Sequence, residues 1–206
     1  MALKAASTYD LDKPSTSINL DNPDMLFSNL ALLALVPAAL ADWGNLCSSD
    51  RKAKVLIGNG PSGVTGELFF FQSAWSEVVT LTGTISGASP GQHGMHVHQF
   101  GDLSQGCNST GSHWNPLNRT HGAPTDRNRH LGDMGNFEAD ADGVIHVDHS
   151  DRRMSLCGRF SIMGRAINLH VGTDDLGRGG QELSLQTGNA GPRLACGVIG
   201  AVDPST

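Results

Sequence analysis

Beyond residue 50 the apolar residues come in short bursts separated by turn formers, and in the clearest burst they alternate with polar ones. Val79, Leu81 and Ile85, with Gly83 between them, fall on one face of the segment 78–86, because side chains two apart in a strand leave the same side. Segments 52–58, 64–72 (with Phe69, Phe70 and Phe71), 93–100, 135–139, 144–149, 164–170 and 195–202 also read as strands. Gly58-Asn59-Gly60-Pro61, Ser89-Pro90-Gly91 and Ala141-Asp142-Gly143 punctuate them as turns. Short strands without a convincing amphipathic helix predict an all-β fold: an eight-stranded antiparallel Greek-key barrel or sandwich.

Two irregular stretches, 101–130 and 171–194, interrupt that pattern. Structureless loops of this length are uncommon in compact domains. The objection weakens where metal ligands or a disulfide organise the loop, and a rigid β scaffold with function on its loops is the expected arrangement.

The chain ahead of the strands reads differently. Residues 1–24 are polar, rich in Ser, Thr, Asn, Asp and Pro, and predict a disordered segment. Residues 25–41 form an apolar run of secretory-leader length, ending in the small-residue pattern Ala39-Leu40-Ala41. The run is short for a membrane span and carries Ser28, Asn29 and Pro37. Asp24 rather than a basic residue precedes it, and Met25 is an alternative start. The expectation is a leader removed near Asp42, a linker over 42–50, one domain over 51–206, and a secreted product without stable membrane insertion. A leader left uncut would instead make the protein cytoplasmic or membrane-anchored.

Asn108-Ser109-Thr110 and Asn118-Arg119-Thr120 are acceptor sequons for N-glycosylation, in keeping with export. Cys47, Cys107, Cys157 and Cys196 admit three fully paired connectivities, and an oxidising compartment would permit a bridge. The formal net charge of −6, with no Lys/Arg-rich block, argues against nucleic-acid binding, because phosphate contacts need a basic face.

Candidate chemistry concentrates in and around the first irregular stretch. His93, His96, His98, His113, His121, His130 and Asp133 crowd there, and His170 follows further on. In His96-Val97-His98 the two rings leave one strand face, roughly 6–7 Å apart at the backbone, a separation one metal ion can span. His113, His121 and His130, at spacings of eight and nine, and then Asp133 can furnish a second, carboxylate-containing site. The pattern predicts two metals. His146 and His149 lie outside the cluster and are expected to face solvent without function.

His93-Gly94-Met95-His96-Val97-His98-Gln99-Phe100-Gly101-Asp102 and Gly188-Asn189-Ala190-Gly191-Pro192-Arg193-Leu194-Ala195-Cys196-Gly197 resemble signatures of the copper–zinc superoxide dismutases. Gly111-Ser112-His113-Trp114-Asn115-Pro116, His121-Gly122-Ala123-Pro124, His130-Leu131-Gly132-Asp133 and Asp174-Asp175-Leu176-Gly177 extend the resemblance across 51–206. It implies copper on His96, His98, His113 and His170, and zinc on His113, His121, His130 and Asp133. His113 would bridge both ions as an imidazolate. Asp174 would hydrogen-bond His96 and His121, and Arg193 would attract and position the anion beside copper. The implied reaction is dismutation of superoxide to dioxygen and hydrogen peroxide through alternating reduction and oxidation of copper.

The resemblance also implies a Cys107–Cys196 disulfide and a homodimer, and is compatible with copper delivery by a chaperone. Cys157 is expected to be a free thiol; Cys47 is unassigned, with a partner in another chain among its options. Some family features are missing. Leu183 stands where many relatives carry an acid, Gln186 and Gly172 where they carry lysines, and Ala201 replaces a larger interface residue. Steering of an anion then rests mostly on Arg193 and copper. A copper-chaperone protein with a dismutase-like domain would be expected to bring a Cys-x-x-Cys motif, and this chain has none. A catalytically silent metal-binding module is the other rival, and intact His96, His98, His113, His170 and Arg193 argue against it.

Overall fold

Strand alternation sorts the chain into an inside and an outside. β1 (Arg51–Ile57) turns Ala53, Val55 and Ile57 inward, β2 (Thr65–Gln72) Leu68, Phe70 and Gln72, and β3 (Val79–Ser86) Val79, Leu81 and Ile85. The remaining strands are β4 (Gly91–Val97), β5 (Ser104–Cys107), β6 (Asp133–Ala139), β7 (Val144–Asp151), β8 (Ala166–His170), β9 (Arg193–Val198) and β10 (Gly200–Ala201). The computed structural model describes residues 46–203. The expected polar segment 1–24, the apolar run 25–41 and the first part of the 42–50 linker lie outside the described residues.

Nine of these strands form one antiparallel sheet in the order β10-β1-β2-β3-β7-β6-β4-β8-β9. β3 pairs with β7 instead of β4, so the chain leaves the meander and returns to it, as a Greek key does. The sheet's two outermost strands, β9 and β10, follow each other in the chain with only Ile199 between them, which curls the sheet into a nearly closed barrel. Val55, Leu68, Ile85, Met95, Ile145, Ile162 and Ile167 fill it and are fully buried. Each contributes about 1.5–3 kcal/mol relative to an exposed position.

The predicted segments all appear, with three differences. Segment 195–202 breaks at Ile199 into β9 and β10. A four-residue strand, β5, forms inside the first loop, which was expected to be irregular. β4 starts at Gly91 and ends at Val97, leaving His98 in an isolated bridge to His113. Among the described residues no helix is long and apolar enough to cross a membrane.

Two expectations are overturned. His146 and His149 are three residues apart in β7 and therefore cannot share a face. His146 is exposed, whereas His149 lies on the side of Ile145 and Val147, half-buried with its ring centroid 5.6 Å from that of Phe137. Cys157 is not a free thiol: it bridges Cys47, alongside the Cys107–Cys196 bridge, and no free cysteine remains among the described residues. Cys47 is buried just before β1, where its carbonyl accepts from Trp75 N (2.8 Å). Opposite it, Gln72 Oε1 at the end of β2 accepts from Leu156 N (2.7 Å), which brings the segment carrying Cys157 against the same end of the barrel. Neither contact has a sequence signature.

The Cys47–Cys157 bridge closes a sequence separation of 110 residues. Replacing both cysteines by serine should lower the unfolding free energy by up to about 4–5 kcal/mol, read from denaturant midpoints. Alkylation of a Cys157 thiol in native, unreduced protein would contradict the pairing.

Candidate metal centre

Period-two alternation in β4 sends Met95 and Val97 into the barrel core and His96 the other way, with His98 following it. The pairing of β4 with β8 places His96 opposite Asn168, near His170 at the strand's end. A register shift between Gly94 and His96 in the pairing of β4 with β6 aligns His96 with Asp133. The two long loops cover this face of the sheet, and His96, His98, His113, His121, His130, Asp133, His170 and Asp174 are all buried.

Two ligand groups result, His96/His98/His113/His170 and His113/His121/His130/Asp133, with the ligand atoms of each within 4.8 Å of one another. These are the two sets expected above, and His113 belongs to both. Its ring centroid lies 4.0 Å from that of His96, 5.1 Å from His98, 5.3 Å from His121 and 5.5 Å from His130. On one side, Nδ1 of His113, His121 and His130 converge on Asp133 Oδ1 at 2.9, 3.0 and 3.1 Å. On the other, Nε2 of His98 and His170 are 3.4 Å apart, while His113 Nε2 and His96 Nδ1 are buried without any hydrogen-bond partner.

Hydrogen bonds on the far side of each ring decide which nitrogen is left to ligate. His98 Nδ1–H donates to Gly111 O (2.9 Å) and His170 Nδ1–H to Gly191 O (2.9 Å), which frees Nε2 in both. Asp174 Oδ2 accepts from His96 Nε2 and Oδ1 from His121 Nε2, each at 2.8 Å, which frees their Nδ1. The clustering of His96, His121 and Asp174 is therefore a hydrogen-bonded bracket joining the two groups. Asp133 Oδ2 accepts from the backbone of His130 (2.8 Å) and Gly122 (3.1 Å), leaving Oδ1 for the centre.

Burial pushes His96 and His98 well below the usual imidazole range and lowers His113 as well. His170 is lowered by burial to about 4. His121 goes the other way: burial opposes its charged form, but hydrogen bonds to Asp133 and Asp174 prevail and raise it to about 9. Burial also works against the carboxylates of Asp133 and Asp174, yet their histidine partners hold both below the ordinary range. Imidazoles converging with one ionised carboxylate are the donor set a divalent cation needs, and His121 must give up its extra proton to join it. Three nitrogens and one oxygen suit a closed tetrahedral zinc site, and the all-imidazole group suits copper.

Arg193 is half-buried at the mouth of a cavity of about 340 Å³ lined also by His98, His113 and His170. Its Nη1 donates to Cys107 O (2.7 Å) and Asn108 O (2.9 Å), and its Nη2 to Gly111 O. Leu183 and Gln186 form an uncharged part of the same rim.

Several supporting residues escaped the sequence reading. Asn136 holds Asp174 from both sides, accepting from its N–H (2.7 Å) and donating to its carbonyl (2.8 Å). Arg129, 1% exposed, pairs with Asp151 on β7 and donates to the carbonyl of Asp133. His93 donates from Nδ1 to His170 O (2.8 Å) and is a brace rather than a ligand. Gly188 adopts φ +65°, and a Cβ there would fall 1.9 Å from Asp174 Oδ1. Only Gly188 and His93, both lying inside quoted motifs, had a visible signal, and His93 was grouped there with the candidate ligands.

A family model described as copper/zinc superoxide dismutase (SODC) matches residues 64–199, about two thirds of the chain.

Asp174→Asn keeps the shape but replaces one acceptor with a donor, so one of the two rings loses its fixed orientation. Affinity for both metals should fall about 10–100-fold in chelator competition. Unchanged affinity for either metal would contradict the bracket role.

Proposed function

Because the chain belongs to the copper/zinc superoxide dismutase family, we propose that its two ligand groups divide the metals between them. Copper goes to His96, His98, His113 and His170, and zinc to His113, His121, His130 and Asp133. The protein is an oxidoreductase that dismutes superoxide: two superoxide ions and two protons give one dioxygen and one hydrogen peroxide. Bound copper supplies the one-electron couple for both halves, and bound zinc a fixed positive charge.

The observation that carries the division of metals is His113, with Nδ1 turned to the Asp133 group and Nε2 to the His96/His98/His170 group. Only an imidazole presents a nitrogen at both ends, so no other side chain can serve both groups. His113 Nε2 is also the atom at which a proton is held after the first superoxide has reacted and released to the second. Asp133, His121 and His130 fix the opposite edge of the ring, so its basic edge returns to the same place. Arg193 binds the anion at the cavity mouth, and a guanidinium suits that role because it stays charged and offers several donors.

Export and a homodimer belong to the same reading. Two disulfides suit an oxidising compartment, and Asn108 and Asn118 of the two sequons are exposed. Phe100, 54% exposed, and Ala201 on β10 give apolar surface that a second copy would cover.

His113→Ala should lose nearly all dismutation activity. Near wild-type rates at full copper occupancy would contradict the role of its ring. Protein purified from its natural source should begin near Asp42 and sediment as a dimer; Ala2 at its terminus would end the leader reading.

A further inference from the structure

Away from the metal centre the barrel carries a second concentration of charge. Where the 101–130 loop returns against the end of β7, a cavity of about 680 Å³ is lined by Arg127, Arg129, Arg152, Arg153 and His149. The chain has 14 Lys and Arg against 20 acids, so four guanidinium groups in one cleft run against its net charge. The two acids that line the same cleft are already engaged. Asp126 pairs with Arg178 (2.9 and 3.0 Å), and Asp151 with Arg129. Among the described residues no carboxylate lies within ion-pair distance of Arg127, Arg152 or Arg153.

The loop holds these charges together instead of letting them separate. Arg127 O accepts from both Arg153 Nη2 and Arg119 Nη1, each at 2.7 Å. Burial, then repulsion from Arg129 and Arg119, pushes Arg153 below the ordinary guanidinium range. Three enclosed nitrogens, Arg153 Nη1, Arg129 Nε and His149 Nε2, have no hydrogen-bond partner. Buried polar atoms in that state are uncommon and point to a ligand or a bound water. A guanidinium fork is shaped for two-point bonds to a tetrahedral oxyanion. The volume lies within the roughly 300–1,000 Å³ of small-molecule sites, leaving room for a body attached to the anion.

We propose that this cleft binds a dianionic tetrahedral oxyanion, phosphate or sulfate, free or carried on a small molecule. The site is separate from the catalytic cavity, since Arg193 does not line it. Arg127 and Arg152 stand exposed at the rim and make the first contacts, and Arg153 completes the cage.

The test uses the full, metal-loaded protein titrated with inorganic phosphate, sulfate or glucose 6-phosphate, with KCl holding ionic strength constant. Arginine Nε–H resonances and the melting temperature are read together. Inorganic phosphate should shift arginine signals saturably and raise the melting temperature. The double variant R127S/R152S should weaken binding by about tenfold or more while dismuting at the wild-type rate. R153Q should weaken it similarly, and the rim pair carries the test if R153Q misfolds. Tighter binding of glucose 6-phosphate than of inorganic phosphate assigns a carried phosphate, and equal binding assigns the free ion. A response reproduced by KCl, one confined to the Arg193 signal, or undiminished affinity in R127S/R152S would overturn the proposal.

Discussion

Six buried imidazoles and two buried carboxylates share the space between barrel and loops, and such groups are unfavourable to bury unless each polar atom is satisfied. That requirement governs the rest of the architecture. His113 is its centre, because both its ring nitrogens face ligand groups and neither is available for an outer hydrogen bond. The other rings can then be fixed only from outside. Asp174, Gly111 O and Gly191 O do this for His96, His121, His98 and His170. Gly188 belongs to the same requirement, since any Cβ there would displace Asp174.

Loops of this kind have little core of their own, so their attachment matters. The loop carrying His113, His121 and His130 is clasped by Arg129, which reaches from the carbonyl of Asp133 to Asp151 at the end of β7. Asp151 is itself satisfied by the backbone N–H of Arg153 and Met154, which makes a buried ion pair tolerable. The attachment beside Arg193 is covalent. Cys107–Cys196 ties the end of β5 to β9 and brings the carbonyls of Cys107 and Asn108 to Arg193. At the barrel's other attachment, Cys47–Cys157 pins the chain entering β1 to the segment between β7 and β8.

What could be read from the chain beforehand follows from which interactions are local in sequence. Alternation in β3 and the i, i+2 spacing of His96 and His98 are local, and both reappear in three dimensions. The group of His113, His121, His130 and Asp133 is also legible from spacing, whereas the complete set of His96, His98, His113 and His170 and the sharing of His113 came through resemblance to a family. His149 shows how a local rule can be misapplied: the odd spacing from His146 already placed it on the opposite face. Arg129, Asn136 and the Cys47–Cys157 bridge were illegible, because each depends on a partner 22 to 110 residues away with no motif of its own. Buried polar partners of that kind are chosen by the folded geometry alone.

A chain of net charge −6 can serve an anionic substrate when the charges near the cavity mouth, and not the total, set the field there. Charges farther than about 8 Å are largely screened at physiological salt, so the field at the cavity mouth is set locally. Asp133 and Asp174 are buried and engaged by histidines, which limits their repulsion. Leu183 and Gln186 contribute no charge. Arg193 is left as the principal cation on that rim, and the way it is held matters as much as its presence. Its three bonding partners are backbone carbonyls, which orient the guanidinium without cancelling it. A carboxylate in their place would hold the side chain equally well and neutralise it. Backbone acceptors, brought into position by the Cys107–Cys196 bridge, are what leave a fixed and uncompensated positive charge lining the cavity.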